Sequence, residues 1–387
     1  MTRDFDAVVL GLGGIGSGAA YWLAKRGAGV LGLEQFELGH ARGESHDHSR
    51  IIRLSYHAPQ YVRLAKEAYE AWADVEETGR VPLVVKTGGL DLGPIDGAIP
   101  LEGYASAMRA CGVRYERLDA AAIRRRFPAF TIGDGVHGLF QEDGGIVAAE
   151  RATSTHQRLA REMGAQLRER ERVVAIRDRD GTIDVETENG RFSAGALIVA
   201  AGPWTNRILA HFDMHLPLEV TKEQAMYFRP AQPEVFVLGR FPVWIWMDDP
   251  SFYGFPVFGE PAVKVTQDAG GKPVDPDTRS FEPDPEIGSR VRSFLERTLP
   301  AALGPEHAVK TCLYTLTPDR DFVIDSLPEH PRVFVAVGAG HAFKFASAIG
   351  RVLCELAVEG TTRSAIETFA FDRQILRLAA PPKTYMV

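Results

Sequence analysis

The segment Gly11-Leu12-Gly13-Gly14-Ile15-Gly16 has the residue types and spacing to hold a dinucleotide. Gly11 permits a tight turn, Gly13 lets the backbone approach a pyrophosphate, and Gly16 allows a helix to pack closely on a strand. The helix start then offers unpaired N–H groups and a positive dipole end to phosphate. Glu34 closes a second apolar run, where a carboxylate can accept from ribose hydroxyls and disfavours a 2′-phosphate. Other residues are suited to redox and anion chemistry. Arg50 and Arg53 carry guanidinia, the group suited to bidentate carboxylate capture, and share one side only if the backbone turns helically. Lys344 stands between Phe343 and Phe345, beside His341, where a lysine must either snorkel to the surface or serve a purpose. Lys264 lies in the apolar run Ala262-Val263-Lys264-Val265, and read alone it is an outward-facing strand lysine. Cys312 stands apart from the other cysteines, the usual setting of a buried, inert thiol.

Regular elements must position these groups. Asp6–Leu10 reads as a buried parallel strand, Ile15–Arg26 as a helix and Gly29–Glu34 as a second strand, a βαβ opening. The apolar run from Ala7 to Ala24 holds glycines at 11, 13, 14, 16 and 18, which fit strand, turn and helix better than a membrane span. Gln60–Glu77 is helical by its three- and four-residue apolar steps, and Ala148–Met163 is a further helix. Pro82–Leu92 reads as strands with a bend. Short strands follow near Arg172–Ile176 and Thr182–Thr187, with a hairpin-turn signal at Asn189-Gly190. Ala196–Ala200 is a buried strand ending at Gly202. From Leu216 to Tyr314 come short β-like runs, prolines and aromatics, with a helix over Pro285–Thr298. Val333–Val337, Gly338, Gly340 and a helix from about Phe343 to Val358 return to the α/β pattern, and residues from Pro381 form a tail. The fold class is α/β: a discontinuous Rossmann-like nucleotide domain (1–84, 149–214 and 322–380) plus a β-rich α+β substrate domain (85–148 and 215–321).

The chain has 387 residues, too many for one ordinary domain, with 45% hydrophobic and 25% charged residues. Its net charge of −7 and lack of a Lys/Arg block argue against nucleic-acid binding. Three cysteines, Cys111, Cys312 and Cys354, are odd in number and form no CxxC, so neither a disulfide framework nor a cysteine metal site is expected and a cytoplasmic setting is. FAD is favoured over NAD by the strand Ala196–Gly202 after a β-meander, by Asp325 with the late strand–Gly338-x-Gly340–helix segment, and by the lack of a second fingerprint.

Beyond the glycines, the chain carries Gly43-Glu44-Ser45-His46-Asp47-His48-Ser49-Arg50-Ile51-Ile52-Arg53. It also carries Phe252-Tyr253-Gly254-Phe255-Pro256 with Lys264, Cys312-Leu313-Tyr314-Thr315, and Gly340-His341-Ala342-Phe343-Lys344-Phe345. In their order and spacing these resemble the FAD-dependent amine oxidoreductases of the monomeric sarcosine oxidase and N-methyltryptophan oxidase family, over nearly the whole chain. The resemblance implies covalent flavin on Cys312 through an 8α-S-cysteinyl link. It places Arg50 near the reactive ring, with His46 and Ser49 lining the flavin pocket, and gives the substrate carboxylate to Arg53 and Lys344. Lys264 is implied to face the flavin opposite the substrate and activate oxygen, since a fixed positive charge stabilises developing superoxide. Tyr253 is retained, whereas Trp244 stands where the family has a pocket methionine and Asp268 where it has a histidine. That change puts sarcosine itself in question and admits a larger N-methyl amino acid.

The expected activity is oxidation of a secondary-amine amino acid to an imine, which hydrolyses to aldehyde and amine, with O2 reduced to H2O2. The implied partners are a small amine and O2, with no membrane or metal and a monomeric state. The alternatives are oxidation of a cyclic, pipecolate-like imino acid or a fructosyl amino acid, or an NAD-dependent dehydrogenase.

Overall fold

A computed structural model describes residues 4–179, 181–378 and 381–382. The predicted tail from Pro381, and residues 379 and 380 of the predicted nucleotide domain, lie largely outside the described residues.

The first sheet has a parallel core. Phe5–Leu10 lies between Val30–Leu33 and Arg191–Val199, with Gln166–Arg168 beyond the former. Along Arg191–Val199, residues 191–194 pair antiparallel with Thr182–Thr187, while Leu197–Val199 pair parallel with Val333–Val335. This long strand therefore carries both the meander and the last return strand on one edge. Both faces of the sheet are covered, which explains its unbroken apolar runs. Ala7, Val9 and Ile198 pack under helices Gly14–Lys25, Pro59–Gly79, Ala149–Glu162 and Ala346–Glu359. Val8, Leu10, Leu197 and Val199 pack instead on Ile176, Ile183 and Val185 of the meander.

The second sheet has nine strands in two stretches of sequence. Val243–Trp246 pairs parallel with Gly89–Pro94 and so joins the stretch around 85–148 to that around 215–321. Its long members, Glu219–Phe228 and Glu306–Leu316, pair antiparallel. One face is a dry core: Met226, Trp244, Phe252, Val263 and Val265 pack on the helix Pro285–Thr298, whose Phe294 stacks on Phe252 at 4.2 Å. The opposite face carries the residues set between these in each strand, and it roofs the site. A third, small sheet ties Ser49–Ile52 and Val84–Lys86 to Gly145–Ala148.

Most predicted elements appear within a residue or two of their expected ends. The helix Leu101–Ala110 was not expected, because Gly103 and the alanine-flanked Ser106 blur its pattern. The last helix starts at Ala346, after a 3₁₀ turn over Ala342–Phe345. The hairpin at Asn189-Gly190 forms, but neither residue takes a positive φ. The turn is closed by the Thr187 hydroxyl, which accepts from both backbone N–H groups.

Candidate functional site

A cavity of 1030 Å³ runs from the glycine segment to the strand–Gly338 turn. Gly11 has φ +85, and a Cβ there would lie 2.5 Å from the Ala200 carbonyl oxygen. A Cβ on Gly16 would fall 1.8 Å from the Gly11 oxygen, so the helix can approach the strand only with glycine at that position. Gly13 is the N-cap and supplies no side-chain cap; the first helical N–H, that of Gly14, donates to Ser45 Oγ at 2.9 Å, and the positive end of the helix faces the cavity. Glu34 is buried; its Oε2 accepts from Leu12 N at 3.0 Å and its Oε1 from Phe36 N at 3.1 Å. It thus faces the glycine turn from the end of the neighbouring strand. Gly338 lines the far side of the same cavity, and Gly340, at φ +81, turns the chain toward His341. Of the dinucleotide residues predicted from sequence, Gly11, Gly13, Glu34 and Gly338 line this cavity, whereas Gly16 packs the helix on the strand behind it.

A smaller cavity of 150 Å³ adjoins it, sharing Gly14, Glu44, His46 and Gly338. The second sheet forms its roof. Ala225, Ile245, Tyr253, Lys264, Thr266, Cys312 and Tyr314 project into it, set between the core residues of their own strands. The Tyr253 and Tyr314 hydroxyls lie 3.0 Å apart. Arg50, Arg53, His341 and Lys344 close the other sides. Both arginines reach this cavity without a helical turn: Arg50 lies in the strand Ser49–Ile52 and Arg53 just past its end. The chain leaves the sheet there, so strand parity no longer separates them.

Two placements correct the sequence reading. Trp244 does not line the cavity. It is 1% exposed and packs between Phe130 and Phe294 in the dry core, above its cross-strand partner Gly254. Alternation along the strand turns its neighbour Ile245 into the site instead. Ser49 is also set back from both cavities: its carbonyl accepts from Lys264 Nζ at 3.1 Å and from Arg50 Nη1 at 2.9 Å. Its position supports the residues that reach the cavity wall.

The charges are unevenly compensated. Arg53 Nη1 donates to the buried Asp91 carboxylate at 2.9 Å. Asp91 was missed from sequence, although an acid inside Gly89-Leu90-Asp91-Leu92 signals a buried charge in need of a partner. Lys344 has no ion-pair partner among the described residues. Burial, with Arg53 and Arg320 nearby, lowers its ammonium to about 7. Burial together with Arg50 lowers the His46 imidazole to about 4, so it is neutral. His341 is also neutral; burial depresses it and its Nε2–H donates to the Arg320 carbonyl at 2.8 Å. Asp268 accepts from Arg320 at 3.2 Å. Burial pushes the Cys312 thiol up to about 11, with Arg50 pulling the other way. Glu44, also missed, lines both cavities; burial raises its carboxyl to about 7 and its Oε1 has no partner among the described residues. Lys264 is buried and pairs with Asp47 at 2.6 Å.

The arrangement fits a flavin dinucleotide. The glycine cradle, the positive end of the helix and Glu34 suit its nucleotide half, and Arg50, Cys312 and Lys264 gather in the smaller cavity that adjoins it. No helix among the described residues is long and apolar enough to cross a membrane, and no cluster of metal-ligating side chains occurs among them.

Comparison with known proteins agrees with this geometry. The description of the FAD dependent oxidoreductase family matches residues 6–356. The chain is 32% identical to monomeric sarcosine oxidase of Bacillus sp. (strain B-0618), over 97% of this chain and 98% of that protein. It is 30% identical to N-methyl-L-tryptophan oxidase of Salmonella arizonae, over 95% and 99%. The solved structure of NikD, an unusual amino acid oxidase essential for nikkomycin biosynthesis, superposes with a TM-score of 0.85 at 28% identity, over 100% of this chain and 99% of NikD.

Proposed function

Because this chain belongs to the FAD dependent oxidoreductase family, we propose that it oxidises a secondary-amine amino acid at the carbon beside nitrogen and passes the electrons to O2, forming H2O2. The observation that carries the reading is Lys344, a half-buried lysine whose ammonium the site desolvates and which has no ion-pair partner among the described residues, beside Arg53 at the wall of the small cavity. A desolvated cation of this kind is suited to a carboxylate, because the anion restores the charge that burial disfavours. Arg53 contributes a second positive centre, its own charge already balanced by Asp91. Held there, the carboxylate leaves the amine facing the reacting end of the cofactor. When bound, the flavin accepts a hydride equivalent and carries the redox chemistry. The chain's residues orient the substrate, exclude water and hold charge.

The remaining assignments follow from the same placement. Arg50 lines the small cavity, anchored by the Glu44 and His46 carbonyls at 2.7 Å each. There it stabilises negative charge on the reduced ring, with the neutral His46 beside it. Tyr253 and His341 line the substrate space, and Cys312 is the site of covalent attachment. Lys264 serves oxygen. Residues 1–84, 149–214 and 322–380 form the cofactor half and 85–148 and 215–321 the substrate half, a division that membership of the two larger sheets supports, the small third sheet joining the halves. The protein acts as a cytoplasmic monomer. A cavity of 150 Å³ favours a compact N-alkyl or cyclic amino acid over a fructosyl one. With Trp244 turned away, Ile245 and Asp268 tune the fit.

The test is anaerobic bleaching of the flavin by N-methyl amino acids, cyclic imino acids, fructosyl amino acids and the matching amines without a carboxylate. Rapid bleaching by a compact carboxylated secondary amine is expected. Equal bleaching by its decarboxylated counterpart would overturn the carboxylate reading.

A further inference from the structure

The loop entering the strand Ser49–Ile52 carries an aspartate for which the reading above finds no part. Asp47 sits at φ +86, in the left-handed region that side chains rarely adopt, although Asp and Asn tolerate it best. Its buried carboxylate is held on three sides. Oδ2 accepts from Lys264 Nζ at 2.6 Å, both oxygens accept from the Tyr227 hydroxyl at 2.6 and 2.7 Å, and Oδ1 accepts from Lys310 Nζ at 3.1 Å. Lys310 also donates to Glu260 Oε1 at 3.1 Å. Glu260 in turn divides its oxygens between His48 Nε2 at 3.0 Å and His307 Nε2 at 3.1 Å. The Lys264 and Asp47 side chains are each 5% exposed, whereas Lys310, Glu260, His48 and His307 are 29%, 24%, 31% and 18% exposed, so the run reaches the surface from Lys310 outward. An unbroken run of ammonium, carboxylate, ammonium, carboxylate and imidazole thus connects the buried lysine with the surface.

We propose that Asp47, Lys310 and Glu260, ending at His48 and His307, form a proton path that reloads Lys264 from solvent during oxygen reduction. This rests on the oxidase reading of Lys264 above. Reduction of O2 to H2O2 takes two electrons and two protons. An anionic reduced flavin makes both electrons and one proton available, so the second proton must come from the protein. Lys264 Nζ gives it: an N–H bond breaks as a peroxide O–H bond forms, leaving the amine neutral. Lys310 gives a proton to Asp47 Oδ1; the carboxyl, now neutral, turns to present it to the Lys264 amine and is left ionised again, while Glu260, protonated in turn by its imidazoles, refills Lys310. Asp47 and Lys310 are positioning and relay residues, whereas Lys264 is the one at the reacting atoms.

The electrostatics fit this order. Burial alone would raise the Asp47 carboxyl, but Lys264 first and Arg50 second hold it well below the usual carboxylate range. At rest it is ionised. Once Lys264 is neutral, the larger of those two opposing charges is gone and the carboxylate becomes a better base. The other groups facing the pair are Arg50 and the neutral His46 on the same segment, Tyr227 on the adjoining strand and Cys312 on the next. Arg50 donates three N–H groups to the Ser49, Glu44 and His46 carbonyls and makes no ion pair with Asp47, so the branch through Lys310 is the one that leads outward. At the outer end, hydrogen bonds from His48, Lys310 and His307 hold Glu260 down to about 2, and it accepts from all three.

The experiment follows reoxidation of the reduced, flavin-loaded enzyme by stopped flow, in H2O and D2O and across neutral to alkaline pH, in wild type, Glu260→Gln and Lys310→Met. Loss of a positioned proton donor should slow reoxidation about a hundredfold. It should also introduce a solvent isotope effect and shift the pH profile, while anaerobic flavin reduction keeps its rate. Added imidazole, or the conservative Glu260→Asp, should restore the rate. A second readout needs no turnover. In the resting protein, Asp47→Asn, which the left-handed backbone accepts, should alter the NMR titration of the His48 and His307 rings through the connected carboxylates. Unchanged reoxidation and isotope effects together with unchanged imidazole titrations overturn the path. Lys264→Met separates the two levels: if it slows reoxidation while Glu260→Gln and Lys310→Met do not, the path alone is wrong. If Lys264→Met reoxidises at the wild-type rate, the oxidase reading falls and takes the path with it.

Discussion

If Lys344 holds the substrate carboxylate as proposed, it ties substrate affinity to pH. Desolvation and the Arg53 charge, opposed by the Asp268 carboxylate, lower its ammonium to about 7 in the unliganded site. A bound carboxylate favours the charged form, so binding draws a proton onto Lys344 wherever the free site has lost it. Below about 7 the ammonium is already present and affinity is at its full value. Above that, each pH unit makes protonation less favourable by about 1.36 kcal/mol, so affinity falls about tenfold per unit until the liganded lysine itself titrates. The natural probe is an alkoxyacetate, a non-oxidisable analogue with a carboxylate and no amine, titrated by its effect on the flavin absorbance. Wild type should lose affinity about tenfold per unit above neutrality and take up close to one proton per ligand bound in weakly buffered solution. Lys344→Met should bind roughly ten- to a hundredfold more weakly below neutrality, the scale of one charge-assisted contact. Its affinity should then be nearly flat with pH. That variant also controls for Glu44, which burial raises to about 7 and which remains in place. A wild-type affinity independent of pH, or the same slope in Lys344→Met, would refute the assignment of the carboxylate to this lysine.

Other consequences can be checked separately. Cys312→Ser should release its flavin to the filtrate after acid denaturation, whereas fully loaded wild type should keep its yellow colour with the polypeptide; free flavin from both would remove the covalent link. Asp91→Asn leaves the Arg53 guanidinium buried without its carboxylate and should destabilise the fold by about 3–5 kcal/mol in a urea melt; an unchanged midpoint would contradict the pairing. Trp244→Ala should cost about 3–5 kcal/mol of stability while substrate preference stays nearly constant, and Ile245→Ala should do the reverse, with the KM ratio among amines of different size as the measure.

The dinucleotide half was legible because its signals are local. Gly11, Gly13 and Gly16 act within one turn, and Glu34 follows at the end of the next strand. Lys344 was legible as an anomaly, a cation set among phenylalanines. The compensating acids were not. Asp91 meets Arg53 across 38 residues and Asp47 meets Lys264 across 217, and nothing at either end of such a pair names the other. The strand Val243–Trp246 posed a different difficulty. Core and cavity both receive large apolar side chains there, so composition cannot say which parity faces inward. The parallel pairing with Gly89–Leu92 settles it, and that pairing is a tertiary fact. Arg50 and Arg53 defeated a rule rather than a pattern: three-residue spacing separates side chains only while the strand continues, and this strand stops at Ile52.

The alternation that sends Trp244 into the core and Ile245 into the cavity has a consequence for descent. A single β-strand here presents two surfaces that answer to different selection. Changes at Ile245 alter which amine fits without touching the aromatic stack that keeps the sheet on its helix, and changes at Trp244 do the opposite. New substrate preferences can accordingly arise by drift along one row of side chains while the other row is held fixed, so relatives that share this scaffold are free to diverge in diet without first having to survive a weakened fold.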